Sequence, residues 1–203
     1  MEKFIKISGI AAPFTRINVD TDLIIPAEHL KTISRTGLGK HLFSYIRYSE
    51  NGSKKKEFIL NKDHYEKSII LITGKNFGCG SSREHAVWAL KDFGIRCLIG
   101  SEFADIFYNN CFKNGVLPII LKKSYIDKII KKISLKKASI LTVDLKNQII
   151  SMDKNETIKF EVDPYKKNCL MKGLDDISLT LNKDNIINKY ESNLKKKTPW
   201  LNK

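Results

Sequence analysis

The sequence predicts an α/β domain with a parallel core and further short strands towards its C-terminal end. Three apolar runs, Ser68–Thr73, Ile95–Gly100 and Val116–Leu121, have the length and composition of strands that are buried on both faces. The two segments between them have helical patterns that end at Gly94 and Gly115. This β-α-β-α-β order predicts right-handed crossovers and a largely parallel sheet.

The part of the chain before this core is predicted to be mostly irregular. Residues 4–10 have the pattern of a short strand. Residues 11–36 are interrupted by Pro13 and Pro26 and are rich in polar turn-forming residues, which predicts a long loop of the kind that often carries function. Residues 40–48 are predicted to form a short helix.

Three helices are predicted around the core strands. The first runs from Ser82 to Phe93, and the second is capped by Ser101 and runs to about Asn114. A third helix is expected near residues 124–134.

The C-terminal third is predicted to contain short strands followed by two short helices. Asp163-Pro164 separates the strands from the helices, because proline interrupts regular backbone hydrogen bonding. We expect a single domain over residues 1–194, followed by a basic and mobile tail over residues 195–203. The predicted strands are 139–145, 147–152 and 156–162, with turns at Lys146-Asn147 and Lys154-Asn155, and the predicted helices are 165–172 and 183–193.

The composition gives the chain a strongly positive charge, +14 over 203 residues with a pI of about 9.5. Charge alone suggests a nucleic-acid or anionic-membrane partner. However, 31 of the 36 basic residues are Lys, and the runs at Lys54–Lys56, Lys136-Lys137 and Lys195–Lys197 contain neither Arg nor interleaved aromatic residues. Polyanion sites favour both. We therefore predict a solvated basic surface and no nucleic-acid partner, with a basic RNA-binding module as the alternative from another functional class.

Other features predict a cytoplasmic protein that binds no cofactor by itself. No stretch approaches 18 consecutive apolar residues, and the N-terminus lacks the apolar region of a signal peptide, so no membrane association is expected. Cys79, Cys97, Cys111 and Cys169 are widely spaced and form no Cys-x-x-Cys pair. This spacing predicts neither a disulfide framework nor a metal or cluster site within this chain.

The stretch from Asn76 to Ala86 carries the strongest indication of chemistry. Gly78 and Gly80 permit positive φ and close backbone approach. Ser81 and Glu84 have the spacing of a capping box, which predicts a helix start where free N–H groups favour negative charge. Arg83 can hold a carboxylate through two parallel hydrogen bonds. The stretch therefore predicts an anion site beside a hydroxyl group, for a substrate that carries carboxylate or phosphate.

Several other interpretations of this stretch can be weighed against that prediction. Ser81 could be only a helix cap and Arg83 only a solvated side chain. A dinucleotide fingerprint would need a third glycine where Arg83 stands, and neither a P-loop nor a Gly-x-Ser-x-Gly elbow is present. A nucleophilic Cys79 with His85 as its base stays open at this stage, although we expect His85 to pack behind the site.

Several ordered motifs resemble a known family. Gly80-Ser81-Ser82-Arg83-Glu84-His85-Ala86 resembles the signature of the swivelling domain of the aconitase superfamily. With the other motifs, it makes nearly the whole chain similar to the stand-alone bacterial small subunits of 3-isopropylmalate dehydratases. Val87 departs from the pattern, since many relatives have proline there. The further motifs are Asn18–Pro26, Arg35–Phe43, Asp163–Tyr165 and Cys169–Ile177.

The resemblance implies a fold and an activity. The fold would be the aconitase swivel-domain-like β/β/α arrangement, with the βαβαβ parallel core, additional short strands and C-terminal helices. The activity would be that of a hydro-lyase in leucine biosynthesis, which interconverts 2-isopropylmalate and 3-isopropylmalate through 2-isopropylmaleate. The chain would be active only as a heterodimer with a large subunit, and a [4Fe–4S] cluster in that subunit would act as a Lewis acid.

The resemblance also implies roles for individual residues towards a small dicarboxylate substrate. Ser81 matches the general base, Arg83 matches the residue that binds a substrate carboxylate, and Ser82 matches a supporting hydrogen-bond donor. Asp22 matches an acidic residue of the site. An alkoxide at Ser81 would need nearby N–H groups and positive charge.

The segment around Leu30 and Lys31 corresponds to the loop that selects the substrate side group in relatives. Leu30 suits an isopropyl group, whereas Lys31 would suit an additional carboxylate, so a homoaconitase-type substrate remains the alternative. Arg35 is a further candidate for substrate contact. Surface charge is an equally simple interpretation of Lys31 and Arg35.

Overall fold

The computed structural model describes residues 1–135, 140–153 and 156–201. Its centre is a mixed seven-stranded sheet with the strand order β4-β3-β2-β1-β5-β6-β7. The strands are β1 (Lys6–Phe14), β2 (Ile70–Thr73), β3 (Cys97–Gly100), β4 (Leu117–Ile120), β5 (Ile140–Asp144), β6 (Ile149–Asp153) and β7 (Glu156–Lys159).

The sheet has a parallel half and an antiparallel half that meet at β1. Strands β1 to β4 pair in parallel, with Phe14 opposite Thr73 and Ile72 opposite Ile99. Strand β5 pairs antiparallel with the other side of β1, and β6 and β7 follow as antiparallel neighbours. The predicted α/β class with a parallel βαβαβ core is therefore confirmed.

Helices cover both faces of the parallel half, which explains why its strands are apolar on both sides. Residues from α3 and α4 pack with Leu71 and Leu98 on one face, and residues from α5 pack with Ile70 and Ile99 on the other. The helices are α1 (Thr21–Ile24), α2 (Ser44–Arg47), α3 (Glu84–Phe93), α4 (Asp105–Asn114), α5 (Lys123–Leu135), α6 (Pro164–Lys172), α7 (Asp176–Leu181) and α8 (Asp184–Lys197), with short 3-10 turns at Ala27–His29, Gly39–His41, Ile59–Asn61 and Pro199–Leu201.

The first strand extends four residues beyond its predicted end. Its first half pairs with β5 up to Ile10, and its second half pairs with β2 from Ala11 to Phe14. Pro13 lies in the second half, beyond the pairing with β5, so its missing N–H interrupts no ladder on that side. The prediction that Pro13 lies in a loop was therefore wrong, since it lies within β1.

Two helix predictions were wrong in detail. The helix expected from Ser101 begins at Asp105, because the preceding residues pair with Phe77 through its backbone N–H and carbonyl. The helix expected over residues 40–48 is divided into a 3-10 turn and α2, and Phe43 between them has a φ of 55°. This left-handed residue breaks the helical path.

The C-terminal end has one helix more than the sequence predicted. Helix α7 was not expected, and α8 continues to Lys197, past the start of the predicted tail. The division into a domain of residues 1–194 and a mobile tail stays a prediction. The predicted turn at Lys154-Asn155, the run Lys136-Lys137 and the predicted strand start at residue 139 lie outside the described residues. Within residues 1–135, 140–153 and 156–201, no helix has the length and apolar character that a membrane span needs.

Candidate active site

The candidate site lies at the edge of the sheet where the parallel strands end. Strands β1, β2 and β3 finish beside each other at Phe14, Thr73 and Gly100, and each is followed by a loop. In α/β sheets, the crevice beyond the carboxyl ends of parallel strands is the usual place for a ligand. The motif-rich loop of residues 74–83 is the middle one of the three.

Backbone hydrogen bonds hold this middle loop against the loop that follows β1. The N–H of Gly78 donates to the carbonyl of Val19 at 2.7 Å, and the N–H of Thr21 donates to the carbonyl of Cys79 at 2.9 Å. The side chains of Asn76 and Asn18 add a hydrogen bond of 3.0 Å. The two sequence motifs that resemble the family are thereby joined into one backbone unit.

The same loop is also held by the residues that follow β3. The N–H of Phe77 donates to the carbonyl of Glu102 at 3.3 Å, and the N–H of Ala104 donates to the carbonyl of Phe77 at 3.1 Å. The ring of Phe77 is fully buried and packs edge-on against Phe107 at 5.5 Å between ring centroids. Phe77 therefore sets the distance between the motif loop and the start of α4.

Glycine is required at position 78 for two independent reasons. Its φ is 78°, in the left-handed region that side chains rarely adopt, and a Cβ atom there would lie 2.2 Å from the ring of Phe107. No small shift of one flexible side-chain end removes this clash, because Phe107 is itself buried.

These contacts leave a cavity of about 250 Å³ that contains the predicted chemical groups. Ser81, Ser82 and Arg83 line it together, and both serines are exposed to solvent. Its remaining walls are Thr21, Gly78, Gly80 and residues Ala104, Asp105, Ile106 and Phe107. A larger open depression of about 690 Å³ beside Ser44–Asn51 contains none of the predicted site residues.

The first turn of α4 adds polar groups that the sequence analysis missed. No side chain caps this helix at Ala104, and the N–H groups of its first three residues have no acceptor within the helix. They contribute partial positive charge to the wall of the cavity, while the carboxylate of Asp105 brings negative charge to the same turn. The sequence did not indicate this wall, because Ser101 was expected to start the helix.

Arg83 is held by an ion pair at the edge of the cavity. Its Nη1 donates to Oδ1 of Asp22 and, at 3.4 Å, to the carbonyl of Ile25. Both of these hydrogen bonds use Nη1. Among the described residues, no acceptor pairs with Nε or Nη2, so their N–H groups are available to a ligand. The guanidinium is largely buried, with 19% of the side chain exposed.

Asp22 is fixed in its ionised form by its neighbours. The hydrogen bond and the charge of Arg83 hold the pKa of the Asp22 carboxyl below its ordinary value, against the opposing effect of desolvation. The N–H of Ala27 also donates to its Oδ1, at 3.1 Å. Asp22 does not itself line the cavity, and its ion pair with Arg83 connects it to the cavity wall.

The predicted capping box at Ser81 and Glu84 is wrong. The cap position of α3 is Arg83, which makes no side-chain capping hydrogen bond, and Ser81 lies two residues earlier. Glu84 instead accepts a hydrogen bond of 2.7 Å from Nδ2 of Asn114 at the end of α4. Ser81 is therefore free of a capping role.

The backbone of Ser81 is positioned by Thr21. The buried hydroxyl of Thr21 donates to the carbonyl of Ser81 at 2.7 Å, and Thr21 is the first residue of α1. Asp20 caps that helix by accepting from the N–H of Leu23 at 2.6 Å. Thr21 belongs to a recognised motif, but no residue pattern showed that its hydroxyl would reach Ser81.

Leu30, Lys31 and Arg35 do not line the cavity. Leu30 is half-buried and packs against the core, whereas Lys31 and Arg35 are exposed. The guanidinium of Arg35 lies over the ring of Trp88, with 5.2 Å between Cζ and the ring centroid.

His85 does not pair with Cys79. Its Nε2 lies 2.9 Å from the carbonyl oxygen of Thr32, and this carbonyl can only accept. The geometry therefore gives no support to a Cys79–His85 nucleophile pair.

The cysteines do not form a cluster site among the described residues. Cys97, Cys111 and Cys169 are buried, and burial raises the pKa of the Cys97 and Cys111 thiols, which disfavours the thiolate that binds metal. Within the described part of the chain, no three His, Cys, Asp or Glu side chains come together as a metal site.

Comparison with known proteins decides the family. Residues 1–124 match the aconitase C-terminal domain family. Over 201 residues the chain is 55% identical to the 3-isopropylmalate dehydratase small subunit of Azorhizobium caulinodans, covering 99% of this chain and 100% of that one. The corresponding subunit of Rhizobium meliloti is 54% identical over 200 residues, covering 98% and 100%. The chain belongs to the 3-isopropylmalate dehydratase small subunit family.

A solved structure supports the same family at the level of the fold. The crystal structure of 3-isopropylmalate dehydratase from Methanocaldococcus jannaschii superposes with a TM-score of 0.67 at 32% identity, covering 92% of this chain and 99% of that one. The predicted aconitase swivel-domain-like fold of the small-subunit family is thereby confirmed. The aconitase match contains every residue of the cavity, since all of them lie before residue 124.

The positive φ of Gly78 and its close packing against Phe107 predict that a side chain at this position lowers the free energy of unfolding. Replacing Gly78 by Ala combines left-handed strain with the clash against Phe107. Gly52 is a matched control, because its φ is 79° and a Cβ there would meet nothing within 4 Å. We expect Gly52→Ala to cost about 1 kcal/mol of unfolding free energy and Gly78→Ala to cost about 1–3 kcal/mol more. Urea denaturation of both variants measures the difference, and equal losses would contradict the packing argument.

Removing the hydrogen bond from Thr21 to Ser81 should reduce activity without unfolding the chain. Thr21→Val removes the donor at nearly constant volume, so we expect turnover to fall by about 10- to 100-fold through misplacement of Ser81. Thr21→Ser keeps the hydroxyl and should retain most activity. Turnover is measured with the large subunit added, and thermal unfolding verifies that both variants fold. Equal activity of the Val and Ser variants would remove this role from Thr21.

Proposed function

We propose that this chain supplies the substrate-carboxylate site and the general base of a 3-isopropylmalate dehydratase in leucine biosynthesis. The observation that carries the proposal is the cavity that Ser81, Ser82 and Arg83 line together, in a chain 54–55% identical to named small subunits. The reaction class is a hydro-lyase reaction. It removes water from 2-isopropylmalate to give 2-isopropylmaleate and returns water at the neighbouring carbon.

Arg83 is proposed to bind one carboxylate of the substrate. Its Nη1 is occupied by Asp22 and Ile25, which fixes the plane of the guanidinium. The N–H of Nε and the adjacent N–H of Nη2 lie on one edge of that plane and are available for a bidentate pair with a carboxylate. Asp22 in this proposal holds Arg83 in place as a carboxylate, and Arg83 in turn keeps the pKa of that carboxyl below its ordinary value.

Ser81 is proposed to remove the proton from the carbon beside that carboxylate. Its Oγ takes the proton, and the electron pair of the broken C–H bond forms the carbon–carbon double bond as the hydroxyl leaves the next carbon. An ordinary serine is too weak a base, so the alkoxide needs positive surroundings. The guanidinium of Arg83 and the free N–H groups at the start of α4 supply them in the same cavity. Ser82 is proposed to add a hydrogen bond to the substrate.

The departing hydroxyl needs a Lewis acid that the described residues of this chain do not provide. We propose that a [4Fe–4S] cluster in the large subunit supplies that chemistry. The serines lie on the exposed side of the cavity, so a partner can cover it and complete the site. The proposal includes cytoplasmic location and no nucleic-acid or membrane partner.

Selection of the isopropyl group is proposed to involve the segment after Ala27–His29. Leu30 presents an apolar side chain held by its packing against the core, which suits a branched alkyl group. Lys31 and Arg35 are exposed and are proposed to contact substrate only when the large subunit closes over them.

The assignment of the base predicts different effects for two neighbouring serines. Ser81→Ala should reduce turnover by about 10³-fold, because the proposal assigns the transfer of the proton to Oγ of Ser81. Ser82→Ala should reduce it by about tenfold, the expected loss of one supporting hydrogen bond. The assay mixes each variant with the large subunit carrying an intact cluster and follows the absorbance of 2-isopropylmaleate. Normal turnover of Ser81→Ala, with Ser82→Ala the more impaired variant, would reverse the assignment.

A further inference from the structure

The segment Lys31–Thr36, called here the recognition segment, is held to the rest of the chain by very few contacts. It is irregular, and its side chains are mostly exposed, with Ile33 98% exposed. Its own hydrogen bonds are short-range ones among Thr32, Ser34 and Thr36. Within the described chain, the polar and ring contacts that connect it to the core are made by two residues of α3.

The first of these contacts is the hydrogen bond of His85. Nε2 of His85 donates to the carbonyl of Thr32 at 2.9 Å, across 53 positions of sequence. The acceptor is a backbone atom, so the bond fixes the path of the segment rather than one side-chain rotamer. The imidazole packs against Trp88, with 4.4 Å between ring centroids.

The second contact is the cation–π pair of Arg35 with Trp88. The Trp88 ring is held from behind, because its Nε1 donates to Oδ1 of the buried Asn114 at 2.9 Å. A fixed indole gives the exposed Arg35 guanidinium a defined place, and such pairs are favourable even when partly exposed. His85 and Trp88 lie three positions apart and therefore on one face of α3.

The chain just before the recognition segment is fixed at the candidate site itself. Arg83 donates to the carbonyl of Ile25, and the N–H of Ala27 donates to Asp22. The imidazole of His29 stacks on His41, with 3.7 Å between ring centroids. Consequently the cap and the first turn of α3 contact this stretch at both ends, Arg83 at its beginning and His85 towards its end.

From these contacts we infer that His85 is a positioning residue for substrate selection. It sets the distance of the recognition segment from Arg83, with Trp88 as its support, and it neither touches the reacting atoms nor moves a proton. This inference rests on the proposed function for its substrate. Its expected signature is a change in KM and in preference for the side group, with little change in kcat.

Two substitutions at position 85 separate positioning from simple packing. His85→Leu keeps an apolar body beside Trp88 but removes the donor. His85→Gln keeps an N–H donor at a similar reach from the backbone and should restore the bond to Thr32. A packing role alone would make Leu the better tolerated variant, whereas the inference predicts that Gln is the better one.

The kinetic experiment uses each variant with the large subunit and compares 2-isopropylmalate with the analogue that carries methyl in place of isopropyl. For His85→Leu we expect KM for 2-isopropylmalate to rise by about tenfold, with kcat changed by less than about threefold, as for the loss of one hydrogen bond. The preference for isopropyl over methyl should fall correspondingly. His85→Gln should resemble the unsubstituted chain. Equal losses for both substrates, or no rescue by Gln, would overturn the inference.

A second measurement needs no activity and so separates this inference from the proposed function. Trypsin cleaves after Lys31 and Arg35, both exposed within the recognition segment. In the isolated full chain, His85→Leu should be cut there several times faster than the unsubstituted chain, and His85→Gln should not. If His85→Leu fails to fold, Arg35→Ala is measured in its place. This substitution lies on the surface and spares the core, and it should accelerate the cut after Lys31. Unchanged cleavage in these variants would overturn the inference even if the enzyme assay succeeds.

Discussion

The site depends on one constraint: the loop after β2 must lie between the loops that follow β1 and β3. Backbone hydrogen bonds to Val19 on one side and to Glu102 on the other hold it there. Because the loop is bound on both sides, the positions of its glycines and of its buried Phe77 are fixed. The backbone at Ser81, near the end of the loop, is therefore fixed as well. The parallel half of the sheet aligns the three strand ends from which these loops start. The fold thus positions the candidate site through backbone contacts between three loops.

Electrostatics then defines what the cavity can bind. Arg83 is largely buried, and the carboxylate of Asp22 balances its charge. This ion pair orients the guanidinium through Nη1 and leaves the N–H groups of Nε and Nη2 for a ligand. Positive potential also comes from the start of α4, partly offset by Asp105. This balance suits a small anion that brings its own carboxylate. The net charge of +14 adds little to this site, since the described basic residues are mostly exposed lysines outside the cavity.

Much of the fold could be predicted because the core strands are short continuous apolar runs and the core helices end at glycines. The sequence also indicated that Ser81, Ser82 and Arg83 belong together, since they are adjacent in the chain. It did not reveal the hydrogen bond of Thr21 to Ser81 or the wall formed by α4, because both arise from pairing between segments distant in sequence. The prediction of a capping box was wrong for the same reason, because Glu84 accepts a hydrogen bond from Asn114, thirty positions away. Local pattern cannot anticipate such long-range competition for a side chain.

In the proposed function, Ser81 and Arg83 act on one substrate within one cavity. The most direct measurement is a crystal structure of the assembled enzyme with a non-reactive dicarboxylate analogue bound. We expect a carboxylate within hydrogen-bond distance of Nε or Nη2 of Arg83, and Oγ of Ser81 about 3–3.5 Å from the carbon that carries the transferred proton. An analogue bound away from this cavity, or oriented with Ser81 remote from that carbon while Arg83 is unliganded, would contradict it.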